Sequence, residues 1–367
     1  MNELKSKKAM RDSGIELLRI IMMLQVIFLH ICDHGGYREQ AFSLSGKHEL
    51  LYMITWLSSR CPVYVFILIF GYFSVTSNKT VEQMGKRLPK IYLPMLFYSL
   101  LLAFGGQLLN LWELENTEAK VQAFLPVTSR LWYFMSVYII LLILSPFINR
   151  CLISLNVKEY AFLLGFLFLL FSVWSPLTEL EDLKEVISTK YVINIEGGKS
   201  LYGFAFMYIL GGFLRLHTTP HEKCRFRYLA VFILMTAVNY ALYRAFPDYY
   251  GIVDYNSNPF AVIQCICLLL FFRDMKFKSA AINHIAGLTF GIYMIHDNKY
   301  VRDHIWQEVF SVNEKSFYST HLYPFKIIAI CICIFIFCGC IEQIRQWLFA
   351  GITKLWILAG NKDESRS

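Results

Sequence analysis

Apolar residues in this chain fall in long runs separated by short polar blocks. Runs of helix length lie near 15–33, 50–75, 91–112, 131–149, 160–175, 201–216, 227–246, 259–272, 284–296 and 325–350. Most approach the roughly 20 residues that carry a helix across a bilayer. The pattern predicts an all-α, polytopic integral membrane protein with about ten transmembrane helices. The eighth and ninth runs are short for a full crossing, which suits tilted interior or re-entrant segments. The second run is interrupted by Arg60-Cys61-Pro62. Proline removes a backbone donor there, so the helix is expected to break, at a place better suited to lining a cavity than to facing lipid.

Composition agrees with that pattern. With 56% hydrophobic, 16% aromatic and 17% charged residues over 367 positions, the chain is too apolar for a soluble protein of its size. The polar blocks leave no room for a separate soluble domain. The expected organisation is a basic tail at 1–14, one membrane domain at 15–350 and a tail at 351–367. The first apolar run is long, carries charge and lacks a small-residue cleavage site, so it reads as a retained helix rather than a signal peptide.

Charge then sets orientation. With the amino terminus inside, most basic residues fall in inner segments, among them Lys5, Lys7, Lys8, Arg11, Lys79, Lys86, Arg87 and Lys90. This follows the positive-inside rule and places both termini in the cytoplasm of a multi-pass protein of the plasma (inner) membrane. The net charge of +8 is thereby accounted for and implies no nucleic-acid partner. The long outer connections at about 176–200 and 297–324 are candidates for covering an acceptor site. Cysteines inside apolar runs pack as small hydrophobes. No zinc-like spacing survives, and no metal is expected. Cys32 and Cys61 both sit near the outer face, and a bridge between them is the less favoured reading.

The opening helix carries Glu16, Arg19, His30 and Asp33, and ionisable groups at membrane depth are costly unless paired, hydrated or used. Arg19 and His30 are eleven residues apart, so they return to nearly the same face, separated by roughly 16 Å of rise. An imidazole that titrates near neutrality is suited to taking a proton from an attacking hydroxyl, and Asp33, one turn on, is placed to orient it. The bland alternative is a histidine hydrogen-bonded at a helix end, with Asp33 meeting water. Arg19 keeps its charge and needs an anionic or carbonyl-rich partner. Either Glu16 fills that need as a structural pair, or Arg19 serves a bound donor.

Arg19, ten residues, then His30, with Glu16 three positions before the arginine, resembles the first-helix motif of the membrane acyltransferase-3 family. Further stretches follow in the family's order. Gly-Lys-Arg-Leu-Pro-Lys at 85–90 is similar to its basic motif between the second and third helices. Pro62 to Phe73 is similar to its second-helix pattern, with Phe70 where a serine is usual, so any role of that serine is absent. Leu131-Trp132-Tyr133-Phe134 resembles its Leu-Trp-Phe, and Ile292-Tyr293-Met294-Ile295-His296 its Ile-Tyr-Leu-Ile-His.

The resemblance implies transfer of an acyl group, usually acetyl, from cytoplasmic acyl-CoA to a hydroxyl of an extracytoplasmic glycan or related acceptor. It implies His30 and Arg19 as catalytic residues, with His296 assisting beside the Asp33 already placed to orient the ring, and Lys86, Arg87 and Lys90 meeting the CoA phosphates. Inner loops are basic for topological reasons in any case. Trp132 and Tyr133 are candidates for contact with a sugar, although an interfacial anchor is the default reading of Trp132. The chain is expected to be of the stand-alone kind, without an appended extracytoplasmic domain.

The rival class is a transporter or flippase for a glycan or lipid-linked intermediate, with Arg19 and His30 on its pathway. A weaker third reading is a lipid-binding membrane sensor.

Overall fold

The computed structural model describes residues 12–44, 46–77, 81–114, 116–178, 186, 196–246 and 250–364. These are all-helical, with no strand among the described residues. In chain order the α-helices are α1 (Gly14–His34), α2 (Tyr37–Leu44), α3 (Lys47–Ser58), α4 (Pro62–Ser74), α5 (Val81–Gly85) and α6 (Leu88–Leu108). Next come α7 (Thr117–Phe124), α8 (Tyr133–Ser154), α9 (Val157–Phe168), α10 (Ser175–Leu177), α11 (Leu201–His217) and α12 (Arg225–Ala245). The last five are α13 (Tyr250–Val253), α14 (Pro259–Arg273), α15 (Ala280–Ala286), α16 (Thr289–His296) and α17 (Tyr323–Glu364).

Among the described residues, seven helical stretches are long and apolar enough to cross a membrane: Gly14–His34, Lys47–Ser74, Glu82–Leu108, Tyr133–Ser154, Val157–Leu177, Glu222–Ala245 and Tyr323–Lys354. The protein is multi-pass. Three of the ten expected runs form shorter helices. The sixth is α11, of 17 residues, and the eighth is α14, of 15 residues. The ninth is divided between α15 and α16 at Gly287 and Leu288. The break at Arg60-Cys61-Pro62 is present: α3 ends at Ser58 and α4 restarts with Pro62 in its first turn, where the missing N–H costs nothing. The last helix does not stop near residue 350 but continues to Glu364, with no proline beyond Gly351 to end it. Lys5, Lys7, Lys8, Arg11 and Lys79 lie outside the described residues.

The tightest crossing holds α4 against α11. A β-carbon on Gly71 would overlap the Tyr208 carbonyl, and one on Gly211 would overlap the Leu68 carbonyl, so each helix presents a glycine to the other's backbone. Small residues allow this approach in a membrane, where dispersion and not apolar burial drives helix association. Tyr208 then donates to Asn149 Oδ1 at 2.8 Å, and Asn149 to the Ser74 carbonyl at 2.9 Å, tying α8 into the same crossing. At the start of α1, Ser13 donates to Asn283 Oδ1 at 2.8 Å and accepts from the Ser279 N–H at 2.8 Å, which anchors that helix to α15.

Two apolar clusters form the interior. One gathers Val26, Ile27, Tyr37, Trp56, Trp132 and Ile292, and the other Leu18, Met22, Tyr64, Leu68, Phe204 and Tyr208. Helix α1 contributes to both. Cys32 and Cys61 are both buried free thiols.

Candidate active site

A cavity of about 570 Å³ lies along α1, within the range usual for small-molecule sites. Its lining includes both Arg19 and His30, so the face predicted from their spacing is the face that α1 turns inward. Opposite, α4 supplies Val63, Phe66, Ile69 and Phe70, the residues that follow the break at Pro62. Helix α8 adds Tyr133, Phe134 and Tyr138, and α16 adds Phe290 and Tyr293. Glu16, Arg19 and Arg87 are the charged residues of the lining; most of the remaining wall is apolar, with the hydroxyls of Ser74, Tyr138 and Thr289 among it, and His30 lines it as well.

Among the charged residues, Arg19 Nη1 lies 3.7 Å from Glu16 Oε2. That is a loose pair, and it leaves Arg19 Nε buried with no hydrogen-bond acceptor among the described residues. The structural pair and the cavity-facing arginine are therefore the same residue. Of the three cations in the basic loop, Arg87 alone lines the cavity. Lys86 is exposed and donates to Glu82 at 2.7 Å, and Lys90 is exposed. The turn between α5 and α6 separates them: Arg87 sits just before α6, and the residues on either side point elsewhere.

His30 Nδ1 lies 3.0 Å from Nε2 of His296, which is fully buried behind it. Nδ1 of His296 lies 2.6 Å from the Ile292 carbonyl. A carbonyl only accepts, so His296 Nδ1 carries hydrogen and, in the neutral ring, Nε2 is an acceptor. His30 Nδ1 must then donate, which leaves the lone pair on His30 Nε2. This tautomer follows from the network of partners. His30 Nε2 is 3.5 Å from Asp297 Oδ1, so a proton arriving there would meet a carboxylate.

Asp33 does not fill the orienting place expected of it. Its carboxylate accepts from Arg38 at 3.2 Å, because three residues of helix turn it to a neighbouring face. His296, the last residue of α16, and Asp297, just after it, lie beside the two ring nitrogens of His30 instead. Asp297 was legible only as the residue following the Ile-Tyr-Met-Ile-His stretch. Trp132 is also corrected: it is fully buried in the apolar core and available neither as an interfacial anchor nor as a platform for a sugar. Its extended backbone just before α8 (φ −127°, ψ 95°) is followed by Tyr133, which lines the cavity instead. No cluster of three or more metal-ligating side chains occurs among the described residues.

The arrangement combines an imidazole with a fixed tautomer, a carboxylate facing its free nitrogen and a mostly apolar cavity that two guanidinium groups also line. Such a site can take a proton from a hydroxyl while a long, thin donor lies along the cavity. No curated protein and no solved structure matches the chain. The family model described as an acyltransferase domain, acyltransferase-3, matches residues 12–343. The chain belongs to the acyltransferase-3 family and is a multi-pass membrane acyltransferase.

Proposed function

We propose that the protein transfers an acyl group, acetyl in this reading, from cytoplasmic acyl-CoA to a hydroxyl of an extracytoplasmic glycan or lipid-linked glycan. One observation carries the proposal: Arg19 and His30 line the same cavity, whose wall is mostly apolar. Roughly 16 Å of helix rise separates the two residues. The pantetheine arm fits that length of apolar wall. Arg19 and Arg87 suit its carbonyl and phosphate oxygens, while Lys86 and Lys90 remain outside as a general attraction for the nucleotide. No metal takes part in this scheme.

In the reaction, the acceptor O–H gives its proton to His30 Nε2 as the oxygen attacks the thioester carbonyl carbon. The carbon–sulfur bond breaks, the ester forms, and the leaving sulfur takes the proton from the imidazolium. His296 holds the ring in the tautomer that leaves Nε2 free, and Asp297 stabilises the transient positive charge. Transfer across the membrane follows from the orientation read from the basic loops, with ten membrane segments, both termini in the cytoplasm and the protein in the plasma (inner) membrane.

The test is reconstitution in sealed vesicles with labelled acetyl-CoA on one side and an extracted surface glycan on the other. Labelled, base-labile ester on the glycan together with free CoA on the donor side supports the proposal. Movement of glycan across the membrane without CoA release would instead establish the transporter reading.

A further inference from the structure

Phe134, at the start of α8, is where the aromatic rings of the cavity wall meet. Its ring centre lies 5.9 Å from that of Tyr293, 6.3 Å from Phe66, 6.0 Å from Tyr138 and 5.5 Å from Phe204. Tyr293 in turn lies 6.3 Å from the ring of His30. Phe66, Phe134, Tyr138 and Tyr293 all line the cavity, as His30 does. These separations are those of rings in contact, so the wall from His30 through Tyr293 to Phe134 is continuous and no chain passes between its members.

One turn further along both α4 and α8 the pairing repeats, with Phe70 and Tyr138 at 4.8 Å. Of the two tiers, that of Phe66 and Phe134 is the one joined to His30 through Tyr293.

The wall is backed as well as closed. Behind Phe134 stands Phe204, and 5.0 Å from Phe70 stands Tyr208; both belong to α11 and are fully buried. The hydrogen bond from Tyr208 to Asn149 at 2.8 Å fixes the second ring, and the crossing of Gly71 on Gly211 holds α11 hard against α4. Phe134 therefore has packed side chain, and not free space, to move into. Cores resist such displacement, so a ligand group too large for the tier displaces nothing.

We propose that Phe134 is the residue that sets the length of the acyl group, admitting a short one such as acetyl and turning longer straight chains away. This rests on the acyl-transfer reading above. In that scheme the thioester carbonyl carbon is attacked by the oxygen whose proton passes to His30 Nε2, which holds the carbonyl beside the imidazole. The sulfur leads back toward Arg19 and Arg87, and the acyl tail is left against Tyr293 and Phe134. An open apolar cavity would reward each added methylene with buried surface, whereas a fixed ring penalises it. The sign of the chain-length effect separates the two.

The test offers acetyl-, butyryl- and hexanoyl-CoA to the full-length protein in detergent, with an extracted surface glycan as acceptor, and measures binding of the same donors by calorimetry. Methylenes forced against a packed wall are expected to cost roughly tenfold or more. Wild type should show kcat/KM at least tenfold lower for hexanoyl than for acetyl. Phe134→Ala should narrow that ratio at least tenfold through faster transfer of hexanoyl, and Phe134→Leu should fall between. A ratio of two donors on one preparation is independent of how much of the variant folds. Phe162→Ala, an exposed ring on α9 outside the lining, should leave the ratio unchanged. Hexanoyl used as well as acetyl by wild type, or the same ratio in wild type and both Phe134 variants, would overturn the assignment. If no donor yields ester, binding decides: weaker binding of hexanoyl- than acetyl-CoA that Phe134→Ala relaxes supports the pocket and contradicts the transfer reading. Equal binding, or no binding, overturns the pocket. Ester formation with a chain-length ratio that Phe134 does not influence supports the transfer reading alone.

Discussion

His30 Nδ1 donates to His296 Nε2 at 3.0 Å, and the Ile292 carbonyl, 2.6 Å from the far nitrogen of His296, gives that contact its direction. A backbone carbonyl on α16 thereby decides which ring nitrogen of His30 keeps its lone pair, the nitrogen that acts as base in the proposed scheme. Removing His296 should leave His30 in place but without a fixed tautomer. His296→Ala is expected to lower kcat by about 10- to 100-fold, the scale of an impaired proton transfer, with little change in KM for acyl-CoA. His296→Gln, whose amide oxygen can still accept from His30, should retain more activity than alanine. Steady-state kinetics on the purified protein check both.

In the proposed scheme Asp297 Oδ1 faces the nitrogen that gains the proton, at 3.5 Å. Asp297→Asn keeps shape and removes charge. Kcat is expected to fall by about one order of magnitude, or roughly 1.4 kcal/mol of lost transition-state stabilisation. Unchanged kcat in that variant would remove Asp297 from the scheme.

Arg19 and Arg87 meet the cavity, whereas Lys86 and Lys90 do not. Arg19→Ala and Arg87→Ala should each raise KM for acyl-CoA by about tenfold, the scale of one charge-assisted contact. Lys86→Ala and Lys90→Ala should change it little at physiological salt. Glu16→Gln is expected to have a smaller effect than loss of Arg19, since the 3.7 Å pair is long and the arginine is about a third exposed.

Gly71 has no room for a side chain against the α11 backbone, while Gly105 meets only the tip of Leu101 at 3.8 Å. Gly71→Ala should therefore destabilise the protein by about 1–3 kcal/mol, as overpacking does elsewhere. Gly105→Ala should be close to neutral. Thermal unfolding in detergent, read by a buried-thiol label such as one on Cys265, distinguishes them.

Helix-period reasoning on α1 placed Arg19 and His30 on one face, and proline chemistry placed the break before α4, because both are local properties of the chain. What failed depends on neighbours. Asp33 lies one turn from His30 in the chain, yet Arg38 holds it, and the ring of His30 meets instead His296 of α16, 266 residues away in sequence. Trp132 and Tyr133 are adjacent and aromatic, but the backbone just before α8 sends one into the core and the other into the cavity. Among the described residues, seven stretches are long and apolar enough to cross a membrane, against ten apolar runs, for a similar reason. Apolar composition marks a run as buried without saying whether it faces lipid or packs inside a bundle, as the 15-residue α14 does.

The most direct measurement is single-turnover transfer of label from acetyl-CoA to an extracted surface glycan by wild type and His30→Ala, with acyl-CoA binding measured in parallel. Wild type should form labelled ester, and the variant should bind acyl-CoA as tightly but transfer label at least 100-fold more slowly, the scale expected for loss of a general base. Equal transfer by the two proteins would contradict the role of His30 and, with it, the claim that the cavity between Arg19 and His30 is the path of the acyl group.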